Sequence, residues 1–170
     1  MAEPIDAAAQ HFIEEVSLTF EPFGVPRIGG QIVGWLLIAD PPQQTGGDLA
    51  AVLGASKGSI STMTRFLIQV RLIERVRLPG QRRAYFQIRA EAWAELLEAR
   101  MAGLTAIRRL AERGLAVLAA APTPQRARLQ TMYEMYVFFE REMPALMARW
   151  HAQQAQQAEL GAEHDSGRGH

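Results

Sequence analysis

The stretch from Thr45 to Tyr85 constrains the fold more than any other, because it combines two short helical patterns, a tight turn and a hairpin. A first apolar-periodic segment ends at Gly54, and Ser56 then offers a side-chain oxygen to cap a second helix from about Lys57 to Val70. Two short helices separated by so tight a turn predict a helix-turn-helix.

The second helix of this pair has two distinct faces. Three-and-four spacing predicts a buried stripe formed by Ile60, Met63, Thr64, Leu67 and Val70. The opposite, exposed face is formed by Ser61, Thr62, Arg65 and Gln69. This free face is small, polar and basic.

A hairpin follows the second helix. Its strands are Ile73 to Leu78 and Ala84 to Ile88, joined at Pro79-Gly80, a pair that suits the central positions of a type II turn. Alternation predicts that the inward side chains are Val76, Leu78, Ala84, Phe86 and Ile88. The outward side chains are then Arg75, Arg77, Arg83 and Tyr85, with Gln81 and Arg82 at the tip. Such a hairpin is a wing.

Positive charge is concentrated in this segment. Residues 56–90 carry eight basic side chains against one acid, Glu74, although the whole chain has a formal net charge of zero. Most charge runs are only solvated surface. Here a helix-turn-helix, a wing turn and charge segregation coincide, which favours double-stranded DNA as the partner, with cations on phosphates and helix side chains at base edges.

Several motifs resemble a known family. GASKGSISTMTRFL followed by LIERVRLPGQRRAYF resembles the winged-helix repressors of the MarR superfamily, and more closely its GbsR-like branch. FGVPRIGGQIVGWLLIADPP looks like the same branch's second helix and following loop, so the resemblance covers residues 23–88. It implies that Ser56, Lys57 and Gly58 open the recognition helix, and that Arg82, Arg83 and Tyr85 belong to the wing. It also implies repression.

The predicted DNA-binding residues come both from the exposed faces of the helix and hairpin and from the family resemblance. They are Ser56, Lys57, Gly58, Ser61, Thr62, Arg65, Arg77, Gln81, Arg82, Arg83 and Tyr85. The first three would meet phosphate at a helix N-terminus. Ser61, Thr62 and Arg65 would face bases, and the remainder would grip the backbone or the minor groove.

Two apolar segments precede the helix-turn-helix. Pro4 to Phe20 reads as an amphipathic helix. Ile28 to Ala39 is apolar nearly all round, so its pattern also fits a strand, but its length and the absence of period-two alternation favour a buried helix.

Two long helical patterns follow the wing. Residues 90–121 would span about 45 Å as a helix. An apolar stripe of that length is more than one small domain can bury. Leu97, Leu104, Ala111 and Leu118 recur every seven residues, a spacing that suits a partner helix. After Pro122 and Pro124 a second stripe begins, which Pro144 either kinks or restarts. We expect a homodimer, with contacts from Phe12, Val16, Leu97, Leu104, Ile107, Ala111 and Leu118.

The predicted fold class is therefore mainly α with a small β-hairpin wing, a winged helix-turn-helix with long N- and C-terminal dimerisation helices. Residues 1–22 form the N-terminal dimerisation helix and 23–90 the DNA-binding domain. Residues 91–151 form the C-terminal dimerisation helices, and 152–170 a tail of frayed helix followed by disorder.

Several classes of chemistry are disfavoured. The chain has no cysteine, and its four histidines (His11, His151, His164 and His170) show no metal-ligand or acid-base spacing. We therefore expect no metal, no cofactor and no enzymatic activity. No apolar run approaches the roughly 18 residues of a membrane span, and no signal peptide is visible, so a cytoplasmic location follows by default.

The function that these features predict is a homodimeric, sequence-specific transcriptional regulator acting on a pseudo-palindromic operator. The alternative is an architectural or protein-interaction winged helix without sequence-specific readout. A small apolar or cationic effector is a further hypothesis, with a pocket formed by Trp93, Met132, Tyr133, Tyr136 and Phe139. Relatives of the GbsR type imply choline-like ligands, but aromatics at helical spacing are more often ordinary core.

Overall fold

The computed structural model describes residues 6–166, with side chains through residue 157, and divides into two compact units, Met1–Leu96 and Leu97–His170. The first unit contains α1 (Ala7–Phe20), a short 3-10 helix (Glu21–Phe23), α2 (Arg27–Ile38), β1 (Gln44–Thr45), α3 (Gly46–Val52), α4 (Lys57–Gln69), β2 (Ile73–Val76) and β3 (Tyr85–Ile88). α5 (Ala92–Val117) begins in the first unit and continues in the second, which also contains α6 (Thr123–Ser166). The described helices include none with the length and apolarity to cross a membrane.

Helices α1 and α2 pack at unusually close range because α2 presents two glycines to α1. A Cβ added at Gly30 would lie 2.6 Å from Ser17 Cα, and one at Gly34 would lie 2.9 Å from Ile13 Cα. The buried Ser17 hydroxyl donates a hydrogen bond of 3.0 Å to the Arg27 carbonyl at the start of α2. The segment from Ile28 to Ala39, whose pattern also fitted a strand, forms helix α2. The predicted start of α1 at Pro4 lies outside the described residues.

Side-chain caps define the ends of the helix-turn-helix. Thr45 caps α3 through a capping box, in which its Oγ1 accepts from Asp48 N at 3.2 Å while Asp48 Oδ2 accepts from Thr45 N at 2.9 Å. Gly54 has a φ of 60°, the left-handed conformation that ends a helix, and Ser56 then caps α4. The pair packs on α2 through a core that includes Ile32, Val33, Leu36, Leu49, Ile60, Leu67, Leu72 and Ile73. Val70, predicted to be buried, is 40% exposed, because α4 ends at the preceding residue.

The wing belongs to a three-stranded antiparallel sheet of order β1-β3-β2. Val76 pairs with Tyr85, Arg75 with Phe86, and Ile73 with Ile88. Because paired residues share a face, Arg75 lies on the side of Phe86 and Ile88, while Val76 lies with Tyr85. The predicted faces of Val76 and Arg75 are therefore wrong, although Arg75 is exposed and Val76 half-buried, as the prediction expected. The burial of Ile73 fixes which face of β2 points toward the core. The rest of the sheet extends past that core.

The second unit is an antiparallel pair of helices. Glu98 meets His151 at 3.2 Å and Arg108 Nε meets Glu140 at 2.7 Å. Near the connecting turn, Leu129 rests on Gly114, where an added Cβ would lie 2.8 Å from Leu129 Cδ1. Pro144 lies within α6, which continues without a restart.

The predicted tail begins inside a helix. Helix α6 runs through Ser166, so residues 152–166 of the predicted tail are helical. Residues 152–160 are dominated by Ala, Gln and Glu, which have high helix propensity, and no proline follows to end the helix. Residues 167–170 lie outside the described residues.

Candidate nucleic-acid interface

The recognition helix α4 presents its exposed face from its first turn onward. Ser56 Oγ accepts from Ser59 N at 3.1 Å, which leaves other N–H groups of the first turn without a helical partner. Lys57, Gly58, Ser61, Thr62 and Arg65 are all exposed, as the periodicity predicts. Arg65 Nε donates 3.1 Å to the Ser61 carbonyl, so its guanidinium lies along this exposed face.

The tip of the wing has the predicted turn. Gln81 N donates 3.1 Å to the Leu78 carbonyl, and Gly80 has a φ of 73°, as the third residue of a type II turn requires. The predicted contact residues Arg77, Gln81, Arg82 and Arg83 are exposed, whereas Tyr85 is half-buried. The loop between β2 and β3 thus carries three arginines, Arg77, Arg82 and Arg83, into solvent. That arrangement of charge and hydrogen-bonding groups suits a phosphate backbone.

Two of the eight basic residues in this segment, Arg71 and Arg89, form ion pairs within the protein. Arg89 Nη1 and Nη2 donate to Glu95 Oε2 and Oε1 at 2.7 and 2.8 Å, a bidentate pair. The hydrogen bonds from Arg89 hold the pKa of Glu95 below its ordinary value and raise that of Arg89, although partial burial opposes both shifts. Arg71 Nη1 lies 3.6 Å from the same carboxylate. The segment's charge of plus seven therefore overstates what is available to a polyanion.

The outer face of the sheet carries a polar ladder that the sequence analysis missed. Gln43 Nε2 donates to Gln87 Oε1 at 2.8 Å, and Gln87 Nε2 donates to Glu74 Oε1 at 2.7 Å. The ladder crosses from the residue before β1 to β2 by way of β3. Strand β1 is only two residues long, too short for an alternation signal, so neither the strand nor the ladder could be read from periodicity.

The predicted dimerisation residues fall into three groups. Phe12 and Leu97 are exposed in the single chain. Ala111 is completely buried within one chain, and Val16 is partly buried against the core of the first unit. The other three, Leu104, Ile107 and Leu118, are half-buried.

The predicted effector residues do not form the cavity found in the second unit. Trp93 lies in the first unit, where its ring is 6.0 Å from that of Phe20. Met132, Tyr133, Tyr136 and Phe139 are half-buried on α6. A cavity of about 530 Å³ lies instead between α5 and the later part of α6. Its lining is Glu98, Met101, Leu104, Thr105, Glu140, Met143, Pro144, Met147, Ala148 and His151.

The polar groups of this cavity are already partnered. The Thr105 hydroxyl, followed by the charge of Arg108, holds the pKa of Glu140 below its ordinary value, against the effect of burial. Glu98 pairs with His151. Three methionines supply much of the remaining surface, which adapts readily to apolar molecules. Sequence spacing gave no reason to combine Met101 with Met143 and Met147, because they come from two helices. Within the described residues, no cluster of His, Asp and Glu is suited to a metal ion.

Comparisons with known proteins agree with this architecture. A family model described as "MmpR5-like MarR family transcriptional regulator" matches residues 91–153. The chain is 36% identical over 139 residues to the HTH-type transcriptional regulator MmpR5 of Mycobacterium tuberculosis, covering 82% of this chain and 84% of that protein. A crystal structure of a transcriptional regulator superposes with a TM-score of 0.62 at 34% identity, covering 85% of this chain and 99% of the other.

The comparisons bear on two predictions. The winged-helix fold class and the resemblance to the MarR superfamily are confirmed, while the GbsR-like branch is not. The similar proteins are transcriptional regulators, and none of these matches is described as an enzyme. A sequence identity of 36% over most of both chains shows that the two proteins share a family. The chain therefore belongs to the MmpR5-like MarR family of transcriptional regulators.

Proposed function

We propose that this regulator binds double-stranded DNA sequence-specifically and represses transcription as a homodimer on a pseudo-palindromic operator. The observation that carries the proposal is the pairing of an exposed polar face on α4 with three exposed arginines, Arg77, Arg82 and Arg83, on the wing. A helix of this kind reads base edges in the major groove, while wing arginines neutralise phosphates or enter the minor groove. The same exposed groups offer no acid-base pair for catalysis.

The test is selection of operator sequences from random duplexes, followed by fluorescence-anisotropy titration at several salt concentrations. The wild-type protein should enrich a motif with two inverted half-sites. Arg82→Ala should weaken binding to operator and random DNA alike and reduce the salt slope by about one, as loss of one phosphate contact requires. Arg128→Ala, at an exposed position on α6, is the matched control and should change neither.

A base-reading role for Arg65 has a different signature. Arg65→Ala should relax preference at one position of each half-site, at a cost of about 1 to 3 kcal/mol for a bidentate contact. Binding with steep salt dependence but no enriched motif would instead support the architectural alternative. Reporter transcription that falls when the protein is removed would contradict repression.

Dimerisation is supported by apolar side chains that the single chain leaves uncovered. Those more than two-fifths exposed in the second unit are Leu97, Leu110, Val117, Met135, Phe138, Leu146 and Trp150. So large an exposed apolar set is unusual for a monomer and suits a second copy. Phe138→Glu should lower the mass measured by light scattering from dimer to monomer, whereas Gln154→Glu, at an exposed polar position, should not. A wild-type monomer at micromolar concentration would contradict the proposal.

An effector site is supported by the cavity of about 530 Å³ between α5 and α6, a volume within the range of small-molecule sites. Its methionines suit a small apolar molecule. A cationic group would have to compete with His151 for Glu98 and with Arg108 for Glu140. Binding would relieve repression only if the ligand prefers the DNA-free state. A ligand that shifts the thermal midpoint of the wild-type protein, but not of Met143→Trp, would support this site.

A further inference from the structure

Arg71 adopts a backbone conformation that its side chain disfavours. It has a φ of 61°, the only positive φ at a non-glycine position among the described residues. Its amide donates a hydrogen bond of 3.0 Å to the Ile68 carbonyl, and the amide of Leu72 donates one of 3.0 Å to the Leu67 carbonyl. These are the two bonds of a Schellman motif, which ends α4. Glycine is the usual residue at this position. A left-handed arginine persists only where its surroundings hold it.

What holds Arg71 is a cluster that we call the Arg89 clasp, formed by Arg71, Arg89 and Glu95. Arg89 Nη1 donates 3.2 Å to the Arg71 carbonyl and 2.7 Å to Glu95 Oε2. The Arg89 amide also donates 3.2 Å to the Leu72 carbonyl. The Arg89 side chain is only 22% exposed. Its guanidinium is therefore occupied by internal acceptors and is not presented to a ligand.

The clasp joins three segments that lie apart in sequence. Arg71 is the second residue after the recognition helix, Arg89 follows β3, and Glu95 lies in the first turn of α5. The neighbouring Ala92 is buried in the same core cluster as Leu67 and Leu72. A single side chain thus ties the C-terminal end of α4 and the returning strand of the wing to the start of α5.

We propose that Arg89 is a positioning residue for DNA recognition: it orients α4 and the wing through Arg71 and Glu95 and makes no phosphate contact of its own. This inference rests on the proposed function, because it concerns the same DNA-binding surface. Base contacts require side chains held within about 0.5 Å, whereas phosphate contacts from long arginines tolerate more movement. Loosening the clasp should therefore reduce preference for the operator more than general affinity for DNA.

Glu95→Gln separates positioning from simple electrostatics, because the two explanations predict opposite changes in affinity for the operator. Removing a carboxylate adds positive charge to the DNA-binding unit and releases Arg89, so charge alone would strengthen binding to every duplex. Positioning predicts that operator affinity falls about tenfold while affinity for random DNA falls by less than about twofold. The salt slope should stay unchanged, since no phosphate contact is lost.

Arg89→Lys is the second variant, since it keeps the charge but cannot make the bidentate pair. It should reproduce the operator-specific loss, and the double variant should lose no more than either single variant. Circular dichroism and thermal midpoints confirm that each variant is folded at the assay temperature. Arg82→Ala serves as the comparison that weakens both duplexes and lowers the slope.

Two results would overturn the inference, and they differ from failure of the proposed function. Tighter or unchanged operator binding by Glu95→Gln would show that the clasp does not position α4. A reduced salt slope for Arg89→Lys, with equal losses on operator and random DNA, would make Arg89 a phosphate contact. Absence of any preferred duplex for the wild-type protein would reject the proposed function itself, and this inference with it.

Discussion

Replacing Gly30 with alanine should destabilise the first unit although alanine is the better helix former. The new Cβ would lie 2.6 Å from Ser17 Cα and 3.2 Å from the Ser17 carbonyl oxygen, so backbone on the facing helix must move. Overpacking of this kind costs about 1 to 3 kcal/mol, while the gain in helix propensity is about 1 kcal/mol. Because backbone cannot rotate away as a side chain can, we expect the upper part of that cost and a net loss of about 1 to 2 kcal/mol in the free energy of unfolding.

Gly103→Ala supplies the matched control. Gly103 lies inside α5 with nothing within 4 Å of its added Cβ, so the propensity gain should appear alone, as a stabilisation of about 0.5 to 1 kcal/mol. Equilibrium urea unfolding followed by far-ultraviolet circular dichroism, at one protein concentration, measures both variants. If Gly30→Ala unfolds at the same urea concentration as Gly103→Ala or a higher one, the close approach of α1 and α2 is not what Gly30 permits.

Three further predictions follow from individual contacts. Thr45→Ala removes the capping box of α3 and should cost about 1 kcal/mol in the free energy of urea unfolding, whereas Thr45→Ser should retain most of it. Arg71→Gly should exceed Arg71→Ala in stability by about 1 kcal/mol, because only glycine takes a φ of 61° without strain; equal urea midpoints would refute this. The pKa of Glu95 in the folded state is lowered from the ordinary 4.5. Its contribution to the free energy of unfolding is therefore present above that pH and is lost as pH falls below it. Wild-type protein should therefore lose more stability than Glu95→Gln between about pH 5 and 3 in acid titrations followed by circular dichroism.

The helix-turn-helix was predictable because its signals are local. Apolar spacing, Gly54 at a helix end and Ser56 at a helix start depend on residues within a few positions of one another. The observed helix α4, Lys57–Gln69, lies within one residue of the predicted bounds. The Pro79-Gly80 turn was predictable for the same reason, since its conformation depends on what each residue allows.

The register of the wing was not predictable from alternation alone. Arg75 and Val76 both fit a half-buried strand, and a shift of one residue exchanges their faces. Ile73 resolves the choice by its burial, which comes from packing against helices elsewhere in the chain. The fate of Arg89 was hidden for a related reason. Its acceptors, the Arg71 carbonyl and Glu95, lie 18 and 6 residues away, and nothing in the sequence indicates that they meet.

The sequence by itself determined the order of the elements, the sites of turns and caps, and the concentration of basic residues between positions 56 and 90, because each follows from neighbouring side chains. Tertiary structure decided which basic groups face solvent, which glycines permit close helix packing, and which methionines line a cavity. Those properties depend on distances between residues remote in the chain. Arg89, one of the eight basic residues of that segment, becomes internal when folding brings the Glu95 carboxylate within 2.7 Å of its guanidinium.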